Sequence, residues 1–199
     1  RPPRTWAEFK DVASRLKATT GREGGYPSIY SEFDWLLQAI LLSNGGRSMS
    51  VDRSRLTFGE RESVEAIEIM RDIHRSGAHP NYRSGEDADA FMSGNLGMIL
   101  TTSVYTRRAY TIITSRIGYL PLRLDIVDDS RYLGDYVRQN PLIRPNLEQL
   151  TRLEPWVAYP GANYRQISRI LVSATNEAVF GTSADVGRIM GEAQTRAQA

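Results

Sequence analysis

Cysteine is absent from the 199 residues. That excludes disulfides, thiolate nucleophiles and cysteine-ligated zinc. It is compatible with export, because a chain without cysteine needs no oxidative folding. Histidine is scarce: His74 and His79 are the only two. They flank a helix stop and have no third ligand at useful spacing, so no metal site is expected. No apolar run approaches the ~18 residues that a membrane span requires. An excess of one charge is lacking as well. Lys and Arg number 25, Asp and Glu 23, and the formal net charge is +2. Without a basic stripe interleaved with aromatics, nothing draws such a chain to nucleic acid. No internal repeat or low-complexity segment is visible. An initiator methionine is missing too. The chain opens Arg1-Pro2-Pro3 and reads as the interior of a longer polypeptide.

What is present is ordinary globular composition, 41% hydrophobic and 24% charged, in a length sufficient for one domain with a real core or two small ones. The carboxylates do not suggest catalysis. Asp125, Asp128 and Asp129 have the wrong spacing for an EF-hand. Glu60, Glu62 and Glu65 sit at a helix start, where negative charge favours the dipole. Glycoside hydrolysis needs two carboxylates converging in a cleft, and nothing in the sequence brings a pair together. Gly94-Asn95-Leu96-Gly97 lacks the following lysine and helix of a phosphate loop. No catalytic residue and no cofactor are expected.

Periodicity and punctuation predict a helix-rich chain. Thr5-x-x-Glu8 has capping-box spacing, Trp6, Phe9, Val12, Ala13 and Leu16 share a face, and Gly21 stops the helix. A loop or short strand follows around Tyr26–Tyr30. Ser31–Ser43 is predicted helical, with Trp35, Leu36, Ala39 and Ile40 as its buried stripe, ended by Asn44-Gly45-Gly46. An extended piece is expected near Ser50–Leu56. Further helices are expected at Glu62–Ser76, Asp87–Ser93, Ser130–Arg138, Pro141–Leu153, Tyr164–Phe180 and Ser183–Ala197, with an apolar, buried strand at Gly97–Thr102. Trp6 and Trp35 fall on buried faces and read as core. Trp156, between Pro155 and Val157, is open between core and cleft.

Several segments in fixed order resemble the family-1 extracellular solute-binding proteins of bacterial ABC importers, of the maltose-binding and glycerol-3-phosphate-binding type. Pro2-Pro3-Arg4-Thr5-Trp6-x-x-Phe9 resembles that family's "PPKTWxEF". Trp35 followed by Leu41-Leu42-Ser43-Asn44-Gly45-Gly46 resembles "W…LLxxNGG". Ala90-Phe91-Met92-Ser93-Gly94-Asn95-Leu96-Gly97-Met98-Ile99 is similar to "aFxxGkaAMxi", and Gly118-Tyr119-Leu120-Pro121-Leu122-Arg123 to "TGYLPvR". Tyr159-Pro160-Gly161-x-Asn163 and Gly181-Thr182-Ser183 resemble the family's C-terminal end, with Val186-Gly187 in place of Ala-Leu. Two departures stand out. By the resemblance, the family's N-terminal lobe is expected to be missing before the opening motif, and only a short stretch separates Ser103 from Gly118 where the family inserts a long return through its other lobe.

The resemblance implies an α/β fold: a helix-rich lobe of a type II periplasmic-binding-protein fold with a small mixed sheet. It implies a single C-terminal lobe assembled from segments of about 1–109 and 110–199, flanking a missing N-terminal-lobe segment. Its function would be to capture a carbohydrate or glycerol-phosphate-type polyol for uptake. An accessory module of a polysaccharide-active enzyme, or a helical interaction domain, is the alternative. The implied partners are a sugar or polyol ligand, the missing N-terminal lobe and the ABC permease subunits. The implied state is a monomer at the periplasmic or extracellular face of the membrane, with a lipid anchor possible in the parent. By the family's ligand-facing positions the candidate contacts are Ser28, Tyr30, Ser103, Tyr105, Tyr119, Tyr159 and Gly161. Relatives can carry an arginine in the last of these loops, which would favour phosphate; here Tyr159-Pro160 occupies it.

Overall fold

The computed structural model describes residues 2–27, 34–83, 85–102, 127–183 and 185–199. Their contacts divide the chain into two compact units. The larger joins Pro3–Thr101 to Trp156–Ala199, and the smaller is built on Thr102–Pro155. The expected seam near residues 109 and 110 lies outside the described residues.

In the larger unit, helix α1 spans Trp6–Thr20. The Thr5 hydroxyl accepts from the Glu8 N–H at 3.1 Å, while the Glu8 carboxylate reaches back one residue further than a capping box requires, to the Arg4 N–H at 2.7 Å. Gly21 ends the helix at φ 70°, donating its N–H to the Lys17 carbonyl. Strand β1, Glu23–Pro27, follows at once and pairs in parallel with β2, Leu96–Leu100, with Gly25 opposite Met98. The expected strand at Gly97–Thr102 therefore forms, shifted by one residue at its start. Its burial differs from the expectation, since only Leu96 is fully buried. In the described two-stranded sheet β2 pairs with β1, and its described neighbours otherwise are the helix at Glu86–Met92 and α1. Antiparallel pairing among the described residues is confined to one bridge, Met49 to Leu56, around a tight turn.

Helix α2 spans Trp35–Ser43, α3 spans Arg61–Arg75, and α4 spans Glu86–Met92. After the smaller unit come α7, Tyr164–Phe180, and α8, Val186–Gln198. Helix α3 packs against α2, α7 and α8, and α1 lies on β1. The core runs from Phe9 and Ala13 through Leu37, Ile40 and Leu41 to Ala66, Ile67, Met70 and Ile73, and on to Leu171, Ala174, Ile189 and Met190.

The buried face of α2 is rotated from the expected one, with Ile40 buried as expected but Trp35 and Ala39 not. Leu37, Gln38, Ile40 and Leu41 are inside, whereas Trp35 and Ala39 face out. The run Trp-Leu-Leu-Gln-Ala-Ile-Leu-Leu-Ser is apolar nearly all round, so no polar face sets its phase. Tertiary contacts choose the side instead.

In the smaller unit, α5 spans Gly134–Gln139 and α6 spans Arg144–Leu147, flanked by short 3₁₀ turns at Pro141–Ile143 and Glu148–Arg152. The single helix expected over Pro141–Leu153 is thus broken into three pieces, with prolines at 141 and 145 withholding two N–H donors. Val127, Val137, Ile143 and Leu147 form its own small core.

No helix among the described residues is long and apolar enough to cross a membrane.

Candidate functional site

Of the seven residues proposed from sequence, Ser28, Tyr30, Ser103, Tyr105 and Tyr119 lie outside the described residues. Tyr159 and Gly161 are described, both in the irregular segment between Trp156 and α7. Gly161 is exposed and takes φ 87°, the left-handed conformation that turns the chain into α7.

The segment is held from α2. Asp34, at the start of that helix, is 3% exposed, and Gln38 one turn later is 4% exposed. The Gln38 carboxamide donates Nε2–H to Asp34 Oδ2 at 2.7 Å and to the Val157 carbonyl at 3.0 Å. Its Oε1 accepts from the Val157 N–H at 3.3 Å. The second Asp34 oxygen accepts from the Ser168 hydroxyl on α7 at 2.9 Å. A buried carboxylate is costly without partners; here both its oxygens are paired, and the network ties α2, α7 and the 157–161 segment together.

Tyr159 belongs to this interior. It is 4% exposed and part of the main core. Its hydroxyl faces Ser48, Asp34 and Gln38 but meets hydrogen-bond geometry with none of the described residues. Burial, with the Asp34 carboxylate adding to it, pushes the phenol well above its ordinary value, so it stays neutral. This corrects the expectation that Tyr159 faces a ligand: the ring is taken inward because the segment is drawn onto α2. Tyr159→Phe is expected to leave the unfolding free energy in urea unchanged or raised by up to ~1 kcal/mol, since the buried hydroxyl reaches hydrogen-bond geometry with none of the described residues. A fall of that size would show that the hydroxyl is satisfied after all.

Three aromatics around this network do face outward. Trp156, next to the doubly bonded Val157, is 49% exposed. Trp35, next to Asp34, is 37% exposed, contrary to its expected core position. Tyr164, one helical turn before Ser168, is 41% exposed. Arg165 donates Nε–H to the Tyr164 hydroxyl at 2.8 Å, with its guanidinium 5.7 Å from that ring's centroid. Sequence reasoning missed Tyr164 and Arg165. The available signal was a Tyr-Arg pair at the first turn of a helix immediately after a glycine turn. Elsewhere in this unit an open groove of about 610 Å³ runs along α8, lined by Gly187, Arg188, Gly191, Glu192, Thr195 and Arg196. It has no aromatic wall, and its Arg188 is paired with Glu192 at 3.0 Å.

The architecture resembles part of the fold of solved sugar- and glycerophosphocholine-binding proteins. Particular solved structures that it resembles are the cyclic alpha-maltosyl-1,6-maltose binding protein from Arthrobacter globiformis, at 19% identity and TM-score 0.70, and UgpB from Mycobacterium tuberculosis in complex with glycerophosphocholine, at 18% identity and TM-score 0.74. A third is a putative oligosaccharide periplasmic-binding protein from Synechococcus sp. MITs9220, at 13% identity and TM-score 0.63. Each alignment covers 99% of this chain but only 64%, 63% and 66% of the respective partner. At these identities the likeness establishes the fold. No protein-family model and no curated protein sequence matches the chain.

Proposed function

We propose that the chain is the C-terminal lobe of a two-lobed solute-binding protein of an ABC importer. In this reading it supplies one wall of a cleft for a carbohydrate or glycerol-phosphate-type polyol. The observation that carries the proposal is the set of exposed aromatics, Trp156, Tyr164 and Trp35, each next to or within one helical turn of a member of the Asp34–Gln38–Ser168 network, or of the Val157 peptide it holds, in sequence. Aromatic faces cover the C–H surfaces of a sugar, while hydroxyl and backbone groups pair with its hydroxyls. Gly161 leaves the turn beside them open. Ser28, Tyr30, Ser103, Tyr105 and Tyr119 remain the proposed hydroxyl-bearing contacts, with Tyr159 supporting them from the core.

Ligand spanning two lobes would favour the closed form and present it to the permease subunits. The protein would bind and release rather than transform its ligand, as a monomer at the periplasmic or extracellular face, with a lipid anchor on the parent. Support comes from the similar structures, one of a cyclic alpha-maltosyl-1,6-maltose binding protein and another in complex with glycerophosphocholine.

Association costs several kcal/mol in lost freedom, so one wall alone should bind weakly, with a dissociation constant of about a millimolar. Titration of the chain with maltose and with glycerophosphocholine, followed by backbone amide shifts, is expected to move resonances of residues 156–165. Trp156→Ala is expected to abolish those shifts while leaving the fold intact, because the indole is half exposed. Shifts scattered over unrelated faces, or none with either compound, would defeat the proposal and favour a helical interaction domain. Turnover of a glycoside would favour the enzyme-module alternative.

A further inference from the structure

The segment 156–160 has no regular structure, and no backbone–backbone hydrogen bond of its residues is seen among the described residues. Its only described hydrogen bonds are the two between Val157 and the Gln38 carboxamide. One side chain therefore does for this segment what a neighbouring strand does in a sheet: it takes both the N–H and the C=O of one peptide residue. We infer that Gln38, oriented by Asp34, is the positioning residue that fixes Trp156 and the turn at Gly161 for ligand. The inference rests on the reading of this region as a binding wall.

The orientation follows from donors and acceptors. A carboxamide can be placed two ways, with nitrogen and oxygen exchanged. Asp34 Oδ2 lies 2.7 Å from the Gln38 nitrogen, and a carboxylate only accepts. Nitrogen must therefore face Asp34, so one of its hydrogens goes to the carboxylate and the other to the Val157 carbonyl. The oxygen is left to accept from the Val157 N–H. The exchanged placement would set the amide oxygen against the carboxylate and the amide nitrogen against an N–H. Ser168 in turn occupies Asp34 Oδ1, so the carboxylate is held from α7 as well. All three side chains are at least nine-tenths buried, where an unpaired polar group is strongly disfavoured. The arrangement is consequently one state rather than several. Trp156, whose own indole is half exposed, takes its backbone position from the adjacent fixed peptide.

The test is hydrogen exchange on the chain itself, read at the Val157 amide. Gln38→Met keeps the length and removes both bonds. Val157 exchange is expected to rise at least about tenfold, with the amides of α3 and α7 unchanged. The dissociation constant for maltose, read from amide shifts, is expected to rise at least about threefold. Ser168→Ala frees Asp34 Oδ1 and loosens the carboxylate that orients Gln38, while leaving both Val157 bonds possible. It is expected to raise Val157 exchange by a smaller factor, and it serves should Gln38→Met fail to fold. Unchanged Val157 exchange overturns the inference. So does a uniform rise through α3 and α7, which would mean general stabilisation only, or a local rise that leaves maltose affinity untouched. A local rise at Val157 in a chain that ignores maltose altogether would uphold Gln38 as the segment's clamp and reject the saccharide reading.

Discussion

Gly24→Ala is expected to destabilise the larger unit by roughly 3 kcal/mol or more, the upper end of what overpacking costs. A Cβ built at Gly24 falls 2.0 Å from the Ala13 carbonyl oxygen and 2.5 Å from its carbon. The obstacle is backbone in the middle of α1, so no rotamer change can relieve it. Helix α1 would have to lift from β1, uncovering Phe9 and Ala13, both core residues. Gly21→Ala is the informative control. Gly21 has φ 70° and nothing within 4 Å of its added Cβ, so that change should cost only the left-handed penalty of about 1–2 kcal/mol. Urea unfolding of both variants checks the contrast. Equal losses would mean that the close approach of α1 to the sheet is wrong. Since whole domains are stable by only about 5–15 kcal/mol, Gly24→Ala is also expected to lower soluble yield.

The second large effect is a loss of stability in acid that depends on one histidine. His79 is 1% exposed and enclosed by rings from three directions. Tyr26 of β1 is at 5.0 Å between centroids, Phe180 of α7 at 5.8 Å, and His74 of α3 at 5.9 Å. His74 holds its own place through a 2.7 Å contact between Nδ1 and the His79 carbonyl. Burial, and secondarily the His74 charge, push the His79 imidazole down to about 3. The folded form therefore keeps it neutral, while the unfolded chain protonates it near 6.5. Below that value the unfolded state binds a proton that the folded state refuses. The contribution is complete above pH 6.5 and is lost progressively as pH falls towards about 3, at up to ~1.4 kcal/mol per pH unit. Replacing the imidazole by a ring that cannot titrate removes this term. Between pH 6.5 and 4, unfolding free energies of His79→Phe should fall less steeply than those of the wild type, by up to ~1.4 kcal/mol for each unit. Parallel pH curves for the two proteins would refute it.

His79 also illustrates how far the sequence could be read. Its position just past the α3 stop was legible, and metal binding could be argued against from spacing alone. That it would be enclosed by a strand, a helix end and a second histidine was not legible, because Tyr26 and Phe180 are remote from it along the chain. The candidate site divides the same way. Tyr159 and Gly161 were placed correctly on an irregular segment between two elements. Which of them faces outward depended on Gln38, whose partner Val157 is 119 residues away. Trp35 read as core because an almost wholly apolar helix has no polar side to orient it, and Trp156 could not be assigned without knowing what held its neighbour.

The sequence by itself determined where several helices begin or end, though not the breaks within Pro141–Leu153. Thr5 and Gly21 act through bonds and dihedral limits within a few residues, and α7 spans Tyr164–Phe180 as the period predicts. It also determined the fold class through an ordered series of short motifs. Only the tertiary structure decided which face of α2 is buried, that Tyr159 turns inward, and that Gln38 and Ser168 pair with the buried Asp34 carboxylate. Those outcomes rest on contacts between distant segments. Burial there is won by whichever side chain finds a partner, and no local period records that competition.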